Sequence, residues 1–143
     1  MKIVWVLPLL VLVNVLQGQL KLPKIFSDSM VLQRNQPITI WGWTLPEAPV
    51  TVHFHNQQQQ TKADGAGKWQ VKLKPETAGG PYEVKVKSNT DLTLKGVLVG
   101  DLWLCSGQSN MEMPLKGWGT INHADEEIAA ANYPSIRLFT VEK

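Results

Sequence analysis

The sequence holds a single cysteine, Cys105, in 143 residues. That excludes an internal disulfide framework and any multi-cysteine zinc site. Imidazoles are nearly as scarce, with only His53, His55 and His123. Charge is sparse as well: charged residues make up 18%, and 14 basic against 12 acidic side chains leave a formal +2. With no basic tract, nothing argues for a nucleic-acid partner. The apolar run from Ile3 to Leu16 falls short of the roughly 20 residues that a membrane-spanning helix needs. The chain is also too short to hold a complete large multidomain enzyme. What remains, 43% hydrophobic residues with 11 Gly and 9 Pro, is a globular composition with many turns.

Residues 1–18 read as a secretory signal. Lys2 precedes the apolar stretch, which only Pro8 and Asn14 interrupt, and the polar Gln17-Gly18-Gln19 follows. Cleavage is expected near Gly18, although Leu16 is larger than the residue usual at that position. No cysteine stands at the cleavage point, so neither a lipid anchor nor a stable membrane anchor is expected. The expected location is secreted, either periplasmic or extracellular.

From residue 22 to 95 the chain reads as short strands between turns. Ile38 and Ile40 oppose Thr39, Trp41 and Trp43; Val50, Val52 and Phe54 oppose Thr51, His53 and His55. Asp64-Gly65-Ala66-Gly67 supplies a turn before Trp69, Val71 and Leu73, and Ala78-Gly79-Gly80-Pro81 supplies another before Tyr82, Val84 and Val86. Leu92 and Leu94 begin one more short strand. This spacing predicts an all-β sandwich-like domain or a small open barrel.

The pattern changes at residue 96. Gly96 to Cys105 shows little polar alternation, as expected of a strand buried on both faces of an α/β sheet. A helix is predicted over Asp125 to Ala131, with Asn122 or Asp125 near its start and Tyr133-Pro134 ending it. A second short strand is predicted at Ile136, Leu138 and Phe139. Two strands and one helix cannot complete a three-layer core. Residues 96–143 therefore read as the truncated start of an α/β domain.

The run Gly107-Gln108-Ser109-Asn110-Met111 carries the candidate chemistry. A serine hydroxyl at the end of a buried strand, after a flexible glycine, can attack an acyl carbon if a base takes its proton and donors stabilise the oxyanion. Ser109 is the candidate nucleophile, and its backbone N–H is a candidate oxyanion donor. Met111 stands where the nucleophile elbow of α/β-hydrolases has its last glycine. Spacing alone leaves a polar turn after a core strand as the other reading.

The segment from Val99 to Glu112 resembles the nucleophile block of secreted bacterial sialate O-acetylesterases of the SGNH hydrolase superfamily. Phe26 to Arg34, Trp41-Gly42-Trp43, Gly67-Lys68-Trp69, Ala78 to Tyr82 and Glu126 to Arg137 match further landmarks of that family in the same order. The resemblance covers about residues 22–143. It implies a flavodoxin-like three-layer α/β domain after the β domain, and a serine ester hydrolase that needs no metal or other cofactor. The implied substrates are O-acetylated sialic acid or other acetylated carbohydrates. Ser109 falls on the family's nucleophile, with Gly107, Gln108 and Asn110 as its supporting block. The family's remaining oxyanion glycine and asparagine, its histidine base and the acidic partner lie in later blocks, and no position here corresponds to them. The chain is accordingly expected to be an incomplete, inactive portion. The alternative is a secreted non-catalytic carbohydrate-binding or structural β module. No reading of the residues sets an oligomeric state.

Other residues have plainer readings. Cys105 is expected to be a small buried thiol, and His123 a solvated or cap-adjacent residue rather than a base. His53 and His55 are expected at solvated strand positions, not as a metal pair. Gln57 to Gln60 read as a polar hairpin loop or strand edge. Trp41, Trp43 and Trp69 are expected to support the β domain, with a sugar-stacking surface as their other reading.

Overall fold

The computed structural model describes residues 19–111, 113–117 and 121–141. The signal-peptide reading of residues 1–18 therefore lies outside the described residues. Seven strands are present among them: β1 (Val31–Gln33), β2 (Ile38–Trp43), β3 (Pro49–Phe54), β4 (Gln57–Lys62), β5 (Lys68–Leu73), β6 (Gly79–Lys87) and β7 (Asp91–Gly100). One α-helix, α1 (Ala124–Ala130), follows them.

The strands form a five-stranded mixed sheet in the order β1-β7-β6-β3-β4 and a two-stranded antiparallel ribbon, β2-β5. Only β1 and β7 pair in parallel, with Val31 opposite Leu98 and Gln33 opposite Gly100. Together these elements make a curled, mixed sheet, a partial barrel. The turn spacing had left a sandwich and an open barrel as alternatives, and the structure has the curled form.

Alternation decides which face each strand buries. Val50, Val52 and Phe54 of β3 and Val84 and Val86 of β6 meet Ile38 and Ile40 of β2 and Trp69, Val71 and Leu73 of β5 in one core. Each such side chain contributes about 1.5–3 kcal/mol on full burial. Asp64 fixes the turn that leads into β5: its Oδ1 accepts the backbone N–H groups of Ala66 at 2.8 Å and Lys68 at 2.9 Å. Gly67 then takes a positive φ of 78°. Gly42 is required by close approach, because a Cβ there would collide with the Lys21 carbonyl and come within 3.0 Å of Trp69 Cζ2.

Several expectations need correction. The strand anticipated from Gly96 to Cys105 is instead Asp91–Gly100. Val97 and Val99 belong to the same core as Val52 and Val84, so the apolar run serves the β domain first. The Gly79-Gly80-Pro81 turn is the start of β6, with register shifts against β7 between Gly79 and Tyr82 and between Tyr82 and Val84. Among the described residues no strand forms at Ile136 to Phe139, where no neighbouring strand offers hydrogen bonds. The helix lies one residue earlier than expected. Its N-cap is His123, with φ 61° and no side-chain capping bond, rather than Asn122 or Asp125.

Candidate functional site

The segment that bears Ser109 leaves the end of β7, and two residues at the end of β1 hold its first turn. Arg34 N–H donates to the Gly100 carbonyl at 2.8 Å, and Arg34 Nε donates to Asp101 Oδ1 at 2.8 Å. Leu102 N–H donates to Gln33 Oε1 at 2.9 Å. The parallel β1-β7 pairing thus continues past the strand ends through side chains. Spacing could not reveal this clamp, since Arg34 and Asp101 are 67 positions apart. The signal available was that both lie in the landmark runs quoted above.

Beyond the clamp the chain turns into a short 3-10 helix, Ser109–Met111, closed by Met111 N–H donating to the Gln108 carbonyl at 2.9 Å. Gly107 fits because a Cβ there would lie 2.8 Å from Met111 Cγ. Ser109 and Gln108 are exposed, and no side-chain hydrogen bond engages either among the described residues. Asn110 is the middle residue of the 3-10 turn. This geometry presents a hydroxyl to solvent on a tight turn. Among the described residues no side chain hydrogen-bonds to that hydroxyl; His123 Nδ1 instead lies 3.0 Å from Glu126 Oε2, with the imidazole 71% exposed.

Cys105 is exposed, contrary to the expectation of a buried thiol. The reason is that no layer covers residues 101–105 among the described residues. Trp103 is 85% exposed and Leu104 94%. Leu138 is 93% exposed, and α1 buries no residue. A groove of about 630 Å³ runs between Val31, Leu98, Trp103, Cys105, Ile136 and Leu138. Ser109 does not line it.

His53 and His55 are held separately, and only His53 has the strand position expected for both. His53 sits in β3 opposite Lys85 and Gln58. His55 lies beyond the strand in a turn at φ 49°, stacked on Tyr82 with centroids 4.5 Å apart and Nδ1 3.5 Å from Glu76 Oε1. No group of three or more metal-ligating side chains occurs among the described residues. Gln57 to Gln60 lie in the edge strand β4, where Gln57 bridges to Lys74 and Glu76. Trp69 is buried, and its indole Nε1 has no hydrogen-bond partner among the described residues. Trp41 and Trp43 are partly exposed.

Comparison with known proteins gives a consistent pattern. The chain is 37% identical over 128 residues to the sialate O-acetylesterase of Mus musculus, covering 80% of this chain and 23% of that protein. It is 38% identical over 129 residues to the sialate O-acetylesterase of Homo sapiens, covering 80% and 24%. A carbohydrate acetylesterase from Xanthomonas citri of known structure superposes with a TM-score of 0.75 at 41% identity, over 80% of this chain and 26% of that one. No family model matches. The chain thus spans about a quarter of the length of these relatives. Over about 80% of its own length it is homologous to sialate and carbohydrate O-acetylesterases, eukaryotic as well as bacterial.

Proposed function

We propose, proceeding from that homology, that this chain is the leading part of a carbohydrate O-acetylesterase: an exported β domain, residues 22–95 extended through β7, followed by the start of an SGNH-type catalytic domain. The observation that carries the reading is the Ser109 turn, exposed at the end of a segment clamped to the β domain by Gln33 and Arg34. The uncovered apolar side chains of Trp103, Leu104 and Leu138 support the second part, because such side chains in an α/β domain pack against further layers.

In the longer polypeptide Ser109 Oγ attacks the acetyl carbonyl while a histidine from the later region accepts the serine proton. That histidine then protonates the sugar oxygen as the carbon–oxygen bond breaks, and the sugar alcohol leaves. Water, deprotonated by the same histidine, hydrolyses the acetyl-serine to acetate and restores the hydroxyl. The backbone N–H of Ser109 is one donor to the oxyanion formed at each step, with Gly107 permitting the tight turn and Gln108 and Asn110 flanking the serine in it. Sialic acid is the substrate class that two of the relatives' names favour, and acetylated carbohydrate in general is the wider class.

The experiment compares the longer polypeptide, its Ser109→Ala form and the present chain for acetate release and for an acetyl adduct by intact mass. Loss of adduct and a drop of several powers of ten in turnover are expected for Ser109→Ala, by analogy with nucleophile deletions in serine proteases. Little turnover is expected from the present chain. Equal turnover with and without the Ser109 hydroxyl would reject the nucleophile, and full turnover by the present chain would reject its incompleteness.

A further inference from the structure

We propose that the outer face of the β2-β5 ribbon is a glycan-binding surface that takes a neutral pyranose. Alternation along β2 turns Ile38 and Ile40 into the core and leaves Trp41 and Trp43 outward, 38% and 36% exposed. The register sets Trp41 opposite Gln70 and Trp43 opposite Lys68, so the two indoles and two polar side chains share one face. Together with Lys62 and Asp64 they line an open depression of about 380 Å³, within the range of small-ligand sites.

The chemistry of the lining selects the ligand. A pyranose has an apolar C–H face and a rim of hydroxyls, each both donor and acceptor. Indole rings match the face, and the ammonium, amide and carboxylate groups match the rim. Charge is close to balanced: Lys62 pairs with Glu47 at 2.5 Å, and Lys68 stands beside Asp64, whose Oδ1 accepts the Lys68 backbone N–H. A balanced rim favours an uncharged polyol over an acidic sugar. Among the described residues the Lys68 and Gln70 side chains make no hydrogen bond or ion pair, so both can serve a ligand. An apolar protein layer over this face would instead bury those polar groups without partners.

The face is also braced before any ligand arrives. Trp41 packs edge-on against Phe26 at 6.0 Å and 76°, and against Trp43 at 5.4 Å and 78°. Beneath them Gly42 lies against the buried Trp69 ring. Rigid aromatic side chains on paired strands lose little conformational entropy on binding.

The test uses the full 143-residue chain, no ester, and a surface that shares no residue with the Ser109 segment. Its failure would therefore leave the esterase reading standing. Tryptophan fluorescence and calorimetry are followed during titration with cellohexaose, xylohexaose, mannohexaose and sialyllactose. Saturable binding of at least one neutral hexasaccharide is expected. Trp43→Ala should weaken it at least tenfold, and Lys68→Ala and Gln70→Ala by a few-fold each, the loss typical of one hydrogen bond. Thermal unfolding of each variant separates lost binding from lost fold; if Trp43→Ala unfolds, Lys68→Ala with Gln70→Ala decides. Absence of saturable binding, binding of sialyllactose alone, or affinity unchanged in the folded variants would overturn the proposal.

Discussion

Arg34 Nε donates to Asp101 Oδ1 at 2.8 Å, tying the end of β1 to the first residue after β7. The pair is about half exposed on both sides, 44% and 49%, so its own stabilisation is at most about 1 kcal/mol. Its importance is positional. With Gln33 accepting from Leu102 N–H, it fixes the direction in which the Ser109 segment leaves the β domain.

The clamp predicts a local effect without a global one. Gln33→Ala should speed hydrogen exchange at the Leu102 amide while amides in β3 and β6 keep their protection. Arg34→Ala should shift global stability by less than about 1 kcal/mol. Unchanged exchange at Leu102 in Gln33→Ala would show that the bond does not hold the segment.

Two glycines should respond oppositely to alanine. Gly42→Ala puts a methyl group against the Lys21 carbonyl and Leu22, and should cost on the order of 1–3 kcal/mol in urea unfolding. Gly65 has open space around its missing Cβ and lies outside the positive-φ region. Gly65→Ala should be neutral or stabilising by up to about 1 kcal/mol. Similar losses at both sites would contradict the packing described around Gly42.

Uncovered apolar side chains predict uneven protection along the chain. Backbone amides from Val50 to Val99 in the core strands should exchange slowly, and those of residues 103–141, beyond the Leu102 clamp, quickly. Replacing Leu104 and Leu138 with serine should reduce binding of a hydrophobic dye while leaving the unfolding free energy within about 0.5 kcal/mol of the parent. A large loss of stability would mean that these side chains are packed in the isolated chain.

Glu83 gives a pH-dependent signature. A hydrogen bond and the charge of Lys85, 2.9 Å away, hold its carboxyl below the ordinary carboxylate range, with Lys95 adding a smaller effect. Because the folded value is depressed, any stabilisation is present above the unfolded value and is lost as pH falls through the folded one. Lys85→Gln should move the Glu83 titration upward when followed by carboxyl-carbon NMR. An unmoved titration would place the cause elsewhere.

Period-two alternation by itself determined most of the β domain. Val50, Val52 and Phe54, and again Trp69, Val71 and Leu73, had to face one way, because a strand that buries one face admits no other register for them. The turn at Asp64-Gly65-Ala66-Gly67 was equally legible, since an aspartate oxygen and a permissive glycine are what the backbone needs there. The Ser109 run was legible as a motif, and its exposure followed from the turn that carries it.

Tertiary structure alone decided where the apolar run around Gly96 belongs. A strand buried on both faces and a strand end followed by an uncovered segment look the same in sequence; only the pairing of β7 with β1 and β6 places Val97 and Val99 in the β core and leaves Trp103 and Leu104 outside it. The exposure of Cys105 has the same origin. Pairing across 67 positions, as between Arg34 and Asp101, is set by which strands become neighbours, and no local periodicity encodes that. The outward tryptophans of β2 were visible as alternation, but the depression they form with Lys68 and Gln70 exists only because β5 lies beside them.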